Sequence, residues 1–404
     1  MRICLVGTTH PCHNPRLLRE ADSLAEAGHS VRVVAPSFIP ELERTERRLL
    51  AGRKWRFDAV DLCPTSFKKR ARFLAARGRR RMDRWLSSWM KNLRTAESGY
   101  LLARSQLEER ACREDADWFI AHTQGALPVA AAAAKRWNGS LGFDCEDLLL
   151  ENSTDPVEIV RRIEETYVPL CRYISVPSLC IAQRFRENHP TANLSVLYNV
   201  FPKVLAEGLL PPQQRTQSPL LRLHWMGQVI GPRRGIEEAV EAASLLRDRV
   251  ELHLRGNPMN GYRSRLESRA RRGGALIRFH PIVAHDALIQ TMGHFDVGLA
   301  LEQPGHGNYS RTVSNKIFSY LLAGLAIAAT DTPGQQEIMN QVPSAGFLFQ
   351  AGNPQALADG LKKWVEDPQG LRRTQQAAWD AAHGNFCWDN EKGKFFRLLL
   401  GRSE

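Results

Sequence analysis

Two short stretches of this sequence have the residue types to hold an anion: Asn315-Lys316, and Arg233-Arg234 followed by Gly235. Each comes after an apolar run short enough to be a buried parallel strand and before a helical pattern. Around the first, residues 297–301 and 326–329 are the apolar runs. Between them Ser314 stands at an N-cap position, Ile317, Phe318, Leu321 and Leu322 recur at helical spacing, and Gly324 sits where a helix closes in a left-handed cap. Ligands of open α/β sheets bind beyond the carboxyl ends of the strands, so Glu302 to Val313 and the turn Ser314-Asn315-Lys316 are expected to face one. A helix N-terminus has free amide donors, and Lys316 adds a full charge, so the favoured guest is an anion, most simply a diphosphate. The second stretch follows a strand over 221–225 and a turn containing Gly227 and Gln228. Glycines there let backbone approach a phosphate, and a guanidinium holds two of its oxygens at once.

The amino end supplies a second frame. Residues 2–6 form a strand, Gly7 turns out of it, 15–27 form a helix whose apolar face is Leu17, Leu18, Ala21, Leu24 and Ala25, and 29–35 form the next strand. This is a βαβ unit of a doubly wound sheet. It lacks G-x-G-x-x-G, which weakens a dehydrogenase or epimerase reading. Strands over 118–121 and 141–143 end in His122 and in Asp144, Glu146 and Asp147, so two strand ends aim polar groups at one cleft. Those carboxylates suit a metal, a base, a helix cap or acceptor hydroxyls. Asp115-Ala116-Asp117 precedes its strand, the wrong end for metal ligands. Pro202, Pro211, Pro212 and Pro219 mark a linker at 203–218. The expected domains are therefore 1–202, carrying a basic helical insert at about 60–110, and 219–385, followed by a terminal helix at 386–404.

Composition narrows the partners. The 404 residues are 43% hydrophobic and 24% charged, ordinary for a folded chain of two domains. No apolar run reaches the ~18 residues of a membrane span or forms a signal h-region, so a cytoplasmic location is expected. Eight cysteines show no C-x-x-C pair and no Cys/His cluster, which points to reduced thiols and no zinc site. The formal charge of +12 calls for a polyanionic partner, and nine basic residues with one acid, Asp83, lie within 68–84. Met82, Trp85, Leu86, Trp89, Met90 and Leu93 follow at helical spacing. Such a run fits a peripheral membrane patch, and it equally fits an apolar stripe packed on the domain's own sheet beside solvated arginines.

The string NKIFSYLLAGLAIAATDTPGQQEI resembles the donor-site segment of retaining GT-B glycosyltransferases of family 4, in which an asparagine-lysine pair starts a helix ending in A-G-L before a strand and an aspartate, here Asp331. The wording NPRLLREADSLAEAGHSVRVVAP resembles the opening of the same enzymes. The resemblance implies an α/β fold of two Rossmann-like, doubly wound domains facing each other across a cleft, with the terminal helix crossing back to the first. It implies transfer of a sugar, with retention, from a nucleotide diphosphate sugar (UDP or GDP) to an acceptor hydroxyl of lipid-linked, peptide or glycan type. Neither a metal nor a bound cofactor is implied.

The catalytic group would be His122, touching the donor sugar, with Arg234 and Lys316 on the diphosphate. Donor binding would fall to Gly227, Gln228, Arg233, Gly256, Ile282, Glu302, Asn315 and Ser319, with the loops after 250–255 and 277–280 flanking the base. Gly7, Asn14, Arg16 and Asp144 would border the acceptor. Two departures stand out. Ser319 and Arg311 replace two glutamates of the pattern, leaving Glu302 to take part of the ribose or sugar contact; Gln228 replaces a basic residue, which Arg233 can supply. A peripheral position at the inner membrane face follows for relatives with lipid-linked acceptors. Two alternatives stay open: a nucleotide-sugar 2-epimerase on a GT-B fold, separable by products from donor alone, and a basic nucleic-acid-binding protein, separable by an RNA mobility shift that survives physiological salt.

Overall fold

The computed structural model describes residues 1–89, 92–151, 156–305 and 308–401. The chain forms two compact units: residues 1–177 with 181–196, and residues 178–180 with 197–404. Residues 203–218, expected as a linker, are part of the second unit, as is the closing helix Trp388–Leu400. That helix is tied to the same unit by the Trp388 amide on the Phe201 carbonyl (2.9 Å) and the Tyr198 amide on Glu391 (2.9 Å).

The first unit is a seven-stranded parallel sheet: β1 (Arg2–Val6), β2 (Ser30–Ser37), β3 (Arg56–Asp61), β4 (Trp118–His122), β5 (Ser140–Asp144), β6 (Tyr173–Val176) and β7 (Leu194–Val196), in the order β3-β2-β1-β4-β5-β6-β7. Strand order reverses between β1 and β4. Their carboxyl ends, Gly7 and His122, therefore stand at the topological switch point where doubly wound sheets bind ligands. Strand β3 has no counterpart in the sequence expectation. Its charged ends and half-exposed pattern hide an edge strand that needs only one buried face.

The basic insert is a pair of packed helices, Phe67–Trp89 and Leu93–Tyr100. The apolar stripe expected to run from Met82 to Leu93 is divided between them. Met90 lies outside the described residues, as does the side chain of Trp89. On the long helix Ala76 and Asp83 are buried, whereas Phe67, Leu74, Met82 and Trp85 are exposed. Of the expected stripe, Met82 and Trp85 thus face solvent, near the exposed Arg70, Arg77 and Arg81, whereas Leu86 and Leu93 are half-buried. Gly99 lets the two helices touch: a Cβ there would lie 2.7 Å from the Arg84 Cα and backbone nitrogen. Gly99→Ala is therefore expected to push the hairpin apart and lower stability by about 1–3 kcal/mol in urea unfolding, because backbone cannot yield as a side chain does. An unchanged midpoint would show that the hairpin shifts freely.

The second unit is a six-stranded parallel sheet: β8 (Leu221–Ile230), β9 (Val250–Pro258), β10 (Leu276–His280), β11 (Val297–Ala300), β12 (Ala326–Thr330) and β13 (Gly346–Phe349), ordered β10-β9-β8-β11-β12-β13. Its switch point lies between β8 and β11. Strand β8 does not end at Trp225 as expected; it resumes pairing with β9 at Val229 after an irregularity beyond Met226, so Gly227 and Gln228 lie within the strand. Leu221, Leu223 and Trp225, with Leu252 and Leu254 on β9, pack in one core with the helices Ile236–Leu246 and Tyr262–Gly273. By the period-2 rule Arg222, His224, His253, Arg255, Arg278 and His280 share the opposite face. The crossover returning from β10 to β11 on that side contains only His285–Leu288 and the single-turn Gln290–His294.

Candidate functional site

In the second unit the anion-binding stretches meet at the switch point. Gly235 caps the helix Ile236–Leu246 with φ +69°, and a Cβ on it would lie 2.8 Å from the Leu301 carbonyl oxygen and 2.6 Å from the Gln303 amide nitrogen. This contact sets the Arg233-Arg234 turn against the end of β11, where Glu302 begins. Arg233 itself holds φ +60°, an uncommon conformation for a residue with a side chain. Both arginines are exposed, with no acidic partner among the described residues. They are free to take an anion.

Glu302, Ser314 and Lys316 form one cluster. The Ser314 hydroxyl donates to Glu302 Oε1 at 2.7 Å, and Lys316 Nζ is paired with the same oxygen. Ser314 occupies the N-cap position of the helix Asn315–Ala323 but makes no side-chain cap, contrary to the local expectation, because Glu302 is the stronger acceptor. The side chain of Ser314 thus leaves the helix end uncapped, and of the first-turn amides that of Ile317 donates to the Ser314 carbonyl at 3.0 Å. Lys316 Nζ also lies 5.8 Å from the centroid of the buried Trp225 ring, a cation–π neighbour not anticipated from sequence. Burial alone would raise the Glu302 carboxyl, but Lys316 and then Ser314 hold it below its ordinary range. Thr330 fixes the backbone behind, donating to the Glu302 carbonyl at 2.6 Å.

The remaining donor-side residues take varied places. Asn315 is exposed on the first turn. The Ser319 hydroxyl is buried and donates back to the Asn315 carbonyl at 3.1 Å, so it is committed to its own helix. Gly256 crosses Gly227, where an added Cβ would lie 2.3 Å from the Gly227 oxygen; the two glycines bring the ends of β8 and β9 together. Gln228 and Ile282 are exposed, Ile282 in the loop after β10.

In the first unit the structure gathers His122, Asp144, Arg16 and Asn14 into a buried charged network. His122 and Asp144 are neighbours across β4 and β5, and both are fully buried. His122 Nδ1 lies 3.1 Å from Glu146 Oε1 and 3.4 Å from Asp144 Oδ2, and Nε2 lies 3.2 Å from Glu20 Oε2. Arg16 Nε donates to Asp144 at 2.5 Å, Ser175 donates to its other oxygen at 2.6 Å, and Asn14 donates to Glu146 at 2.6 Å while capping the first helix. Burial opposes charge on the imidazole, yet Glu20 and the other carboxylates hold its pKa well above the ordinary 6.5. Burial likewise opposes the Asp144 charge, but Arg16 and His122 bring its pKa far below the usual range.

His122 was expected to touch a donor sugar; here its ring is enclosed by three carboxylates. Glu20, Ser175 and Thr123 were missed. The signal for Glu20 was its position one turn after Arg16 on a helix leading out of the switch point. Thr123 has φ +69° and ψ 160°, a region essentially reserved for glycine, and its hydroxyl meets that of Thr8 at 3.2 Å. Gly7 packs on Leu17 and Ala35. One ligand atom each from Glu20, His122 and Asp144 lies within 4.8 Å of the others, a set able to hold a cation; Arg16 already supplies positive charge there. In the second such group, His10 Nε2 accepts the amides of Phe38 and Ile39, and Nδ1 faces Glu46. Asp115 and Asp117 are occupied by the Arg2 guanidinium and amide.

Two doubly wound parallel sheets, the second with basic groups after β8 and β11, define the GT-B fold. Residues 221–367, within the second unit, match the family model described as glycosyl transferases group 1. The chain is similar in structure to Anabaena HepE in complex with UDP (TM-score 0.71, 16% identity, 100% of each chain). It is also similar to sucrose-phosphate synthase from Thermosynechococcus elongatus (0.68, 14%, 100% of each). A trehalose-6-phosphate structure from E. coli bound with UDP-2-fluoro glucose matches at 0.65 and 13% identity, covering 98% of this chain and 99% of that one. By sequence, no curated protein matches.

The buried imidazolium has a measurable consequence. Since the folded protein binds this proton more tightly than the unfolded chain, its stabilisation is complete below pH 6.5 and is lost as pH rises through the raised folded value. His122→Ala leaves three carboxylates short of a cation and is expected to cost about 3–5 kcal/mol near neutral pH. The gap to wild type should narrow in alkaline solution, as urea unfolding across pH will show. A gap independent of pH would mean that His122 is neutral in the native state.

Proposed function

We propose that this chain transfers a sugar from a nucleoside diphosphate sugar to an acceptor hydroxyl with retention at the anomeric carbon, acting without a catalytic metal. The observation that carries the reading is the contact of Gly235 with Leu301 and Gln303, which puts two unpaired arginines beside the Glu302–Lys316 cluster. UDP is the favoured nucleotide, since the Anabaena and E. coli structures hold UDP or a UDP-sugar.

The chemistry follows from charge. As the bond from the anomeric carbon to the diphosphate oxygen breaks, negative charge grows on the leaving group. Arg234, Arg233, Lys316 and the amides at Asn315 then stabilise the transition state more than the ground state. The acceptor oxygen bonds to the anomeric carbon from the same face, and its proton passes to the departing phosphate oxygen. Lys316 exchanges Glu302 for the diphosphate, which frees the carboxylate to accept from a ribose or sugar hydroxyl. Gly227, Gln228, Gly256 and Ile282 would flank the nucleotide, and Gly7, Asn14, Arg16 and Asp144 would border the acceptor. His122, enclosed as it is, would act as a positioning residue that holds Asp144 and Glu146.

A thermal-shift panel of UDP, GDP, ADP and their sugars tests the donor assignment, and product analysis with donor alone separates transfer from epimerisation. Lys316→Ala is expected to reduce turnover by about 2–4 kcal/mol of transition-state stabilisation, roughly 30- to 1,000-fold, while the protein stays folded. Arg234→Ala should behave alike, and the double variant should fall short of the sum if both hold one diphosphate. Full activity in Lys316→Ala would remove the donor assignment.

The outward face of the helix Phe67–Trp89 supports a second contact, with an anionic membrane surface. Exposed Phe67, Leu74, Met82 and Trp85 beside exposed arginines match the composition of an interfacial helix. Among the described residues no helix is long and apolar enough to span a membrane, so attachment would be peripheral. Each basic side chain near such a surface contributes roughly 1 kcal/mol. Replacing Lys68, Lys69, Arg70 and Arg72 by Gln is expected to release the protein from sedimenting anionic vesicles, and salt near 1 M should do the same by shortening the Debye length to about 3 Å. Failure of the wild type to sediment at low salt would leave these arginines to solvent or to a soluble acceptor.

A further inference from the structure

The face of the second sheet beneath the short return crossover carries charged and imidazole side chains, where a parallel sheet is normally apolar on both sides. A groove of about 610 Å³ lies there between the strands and residues 287–295. Its lining is arginine, imidazole and aromatic: Arg222, His253, Arg255, His280 and His294, with Phe295 as the apolar wall. None of the residues assigned above to the nucleotide sugar lines it.

Arg255 is the decisive group. Its side chain is only 7% exposed, its terminal nitrogen donates to the Pro281 carbonyl at 2.9 Å, and its Nε has no partner. No carboxylate pairs with it among the described residues. Half-buried arginines of this unit are met by acceptors: Arg215 donates to the carbonyls of Leu210, Ala323 and Gly324, and Arg372 to those of Pro212 and Arg215. A guanidinium out of water with one carbonyl for company is a cation short of its anion.

The imidazoles repeat the pattern. His253 Nδ1 and His280 Nε2 lie 2.9 Å apart, so one ring must accept from the other and stay neutral. Of the carboxylates near this face, Glu251 is already engaged by Arg278 and by His253 Nε2, and Asp296 accepts from the Arg222 amide at 2.8 Å. Arg222 donates to the His294 carbonyl, and the buried His224 stacks on Phe295 at 4.3 Å. Burial and mutual repulsion press the proton affinities down: His253 to about 4, with His224 and His280 also lowered. An anion seated between Arg255 and the His280 ring would pair the guanidinium and favour protonation of the depressed imidazole.

We propose that this groove is a second anion site, which binds the phosphate of a small phosphorylated molecule or inorganic phosphate through Arg255 and His280, with His253, bonded to Glu251 and to His280, holding the His280 ring in place. Phosphate suits the fork of a guanidinium, and Phe295 offers an apolar surface to whatever the phosphate is esterified to. The site stands independently of the donor assignment.

The test uses the full chain carrying Arg234→Ala and Lys316→Ala, which disables the anion groups beyond β8 and β11, titrated calorimetrically with inorganic phosphate at fixed ionic strength. Saturable binding is expected, weakened on the order of tenfold or more by Arg255→Gln and also by His280→Asn, whose partly exposed side chain is the safer substitution for folding. Sulfate, whose charge is constant over the range, should bind more tightly at about pH 6 than at about pH 8 with uptake of protons, since the anion raises the depressed imidazoles. Glucose 1-phosphate and uridine monophosphate, titrated alongside, identify an ester ligand if they bind more tightly than phosphate, and inorganic phosphate itself if they do not. Absence of saturable binding in the Arg234→Ala/Lys316→Ala chain overturns the proposal. So does binding unaffected by both groove variants when their circular dichroism is unchanged.

Discussion

A carboxylate taken out of water must have a cation beside it, and much of the local geometry in this chain answers that requirement. Glu302 keeps its charge at the end of β11 because Lys316 and Ser314 come to it, and their doing so leaves the helix N-terminus uncapped. Asp144 keeps its charge at the end of β5 because Arg16 and a protonated His122 do the same. In each unit these groups gather at the switch point, because that is where loops from neighbouring parallel strands diverge and leave room for side chains.

The two arrangements differ in what they leave for a ligand. In the first unit the positive and negative groups are paired with one another out of solvent. In the second, Lys316 remains partly accessible and Arg233 and Arg234 are unpaired, so a polyphosphate arriving there finds donors whose attraction is not already spent. Stored strain is distributed to match: a left-handed arginine beside the open site and a threonine in a glycine-like conformation beside the closed one.

The parts of the fold that were legible from sequence are those where burial is complete on both faces. Strands β11 and β12 are buried at every position, so their apolar runs stood out, and the helix between them could be placed by its spacing and its closing glycine. Strand β3 is an edge with charged ends, which resembles loop. The length of β8 was underestimated because glycine at 227 reads as a turn, whereas here it accommodates the Trp225 ring. Partners far apart in sequence were the common failure. Ser314 was matched to its own helix but bonds Glu302, and His122 was read without Glu20, which lies on another element 102 positions earlier.

The sheet of the second unit also implies an uneven hold on its own backbone. β10 is an edge strand with no fully buried residue, while β11 and β12 lie sealed in the middle. Local opening follows such differences in packing, so the amide hydrogens of β10 will trade with solvent through small fluctuations, and those of β11 and β12 only when the whole unit comes apart. The domain is thus graded across its width: a firm centre that fixes Glu302 and Lys316, and a looser margin able to breathe without disturbing them.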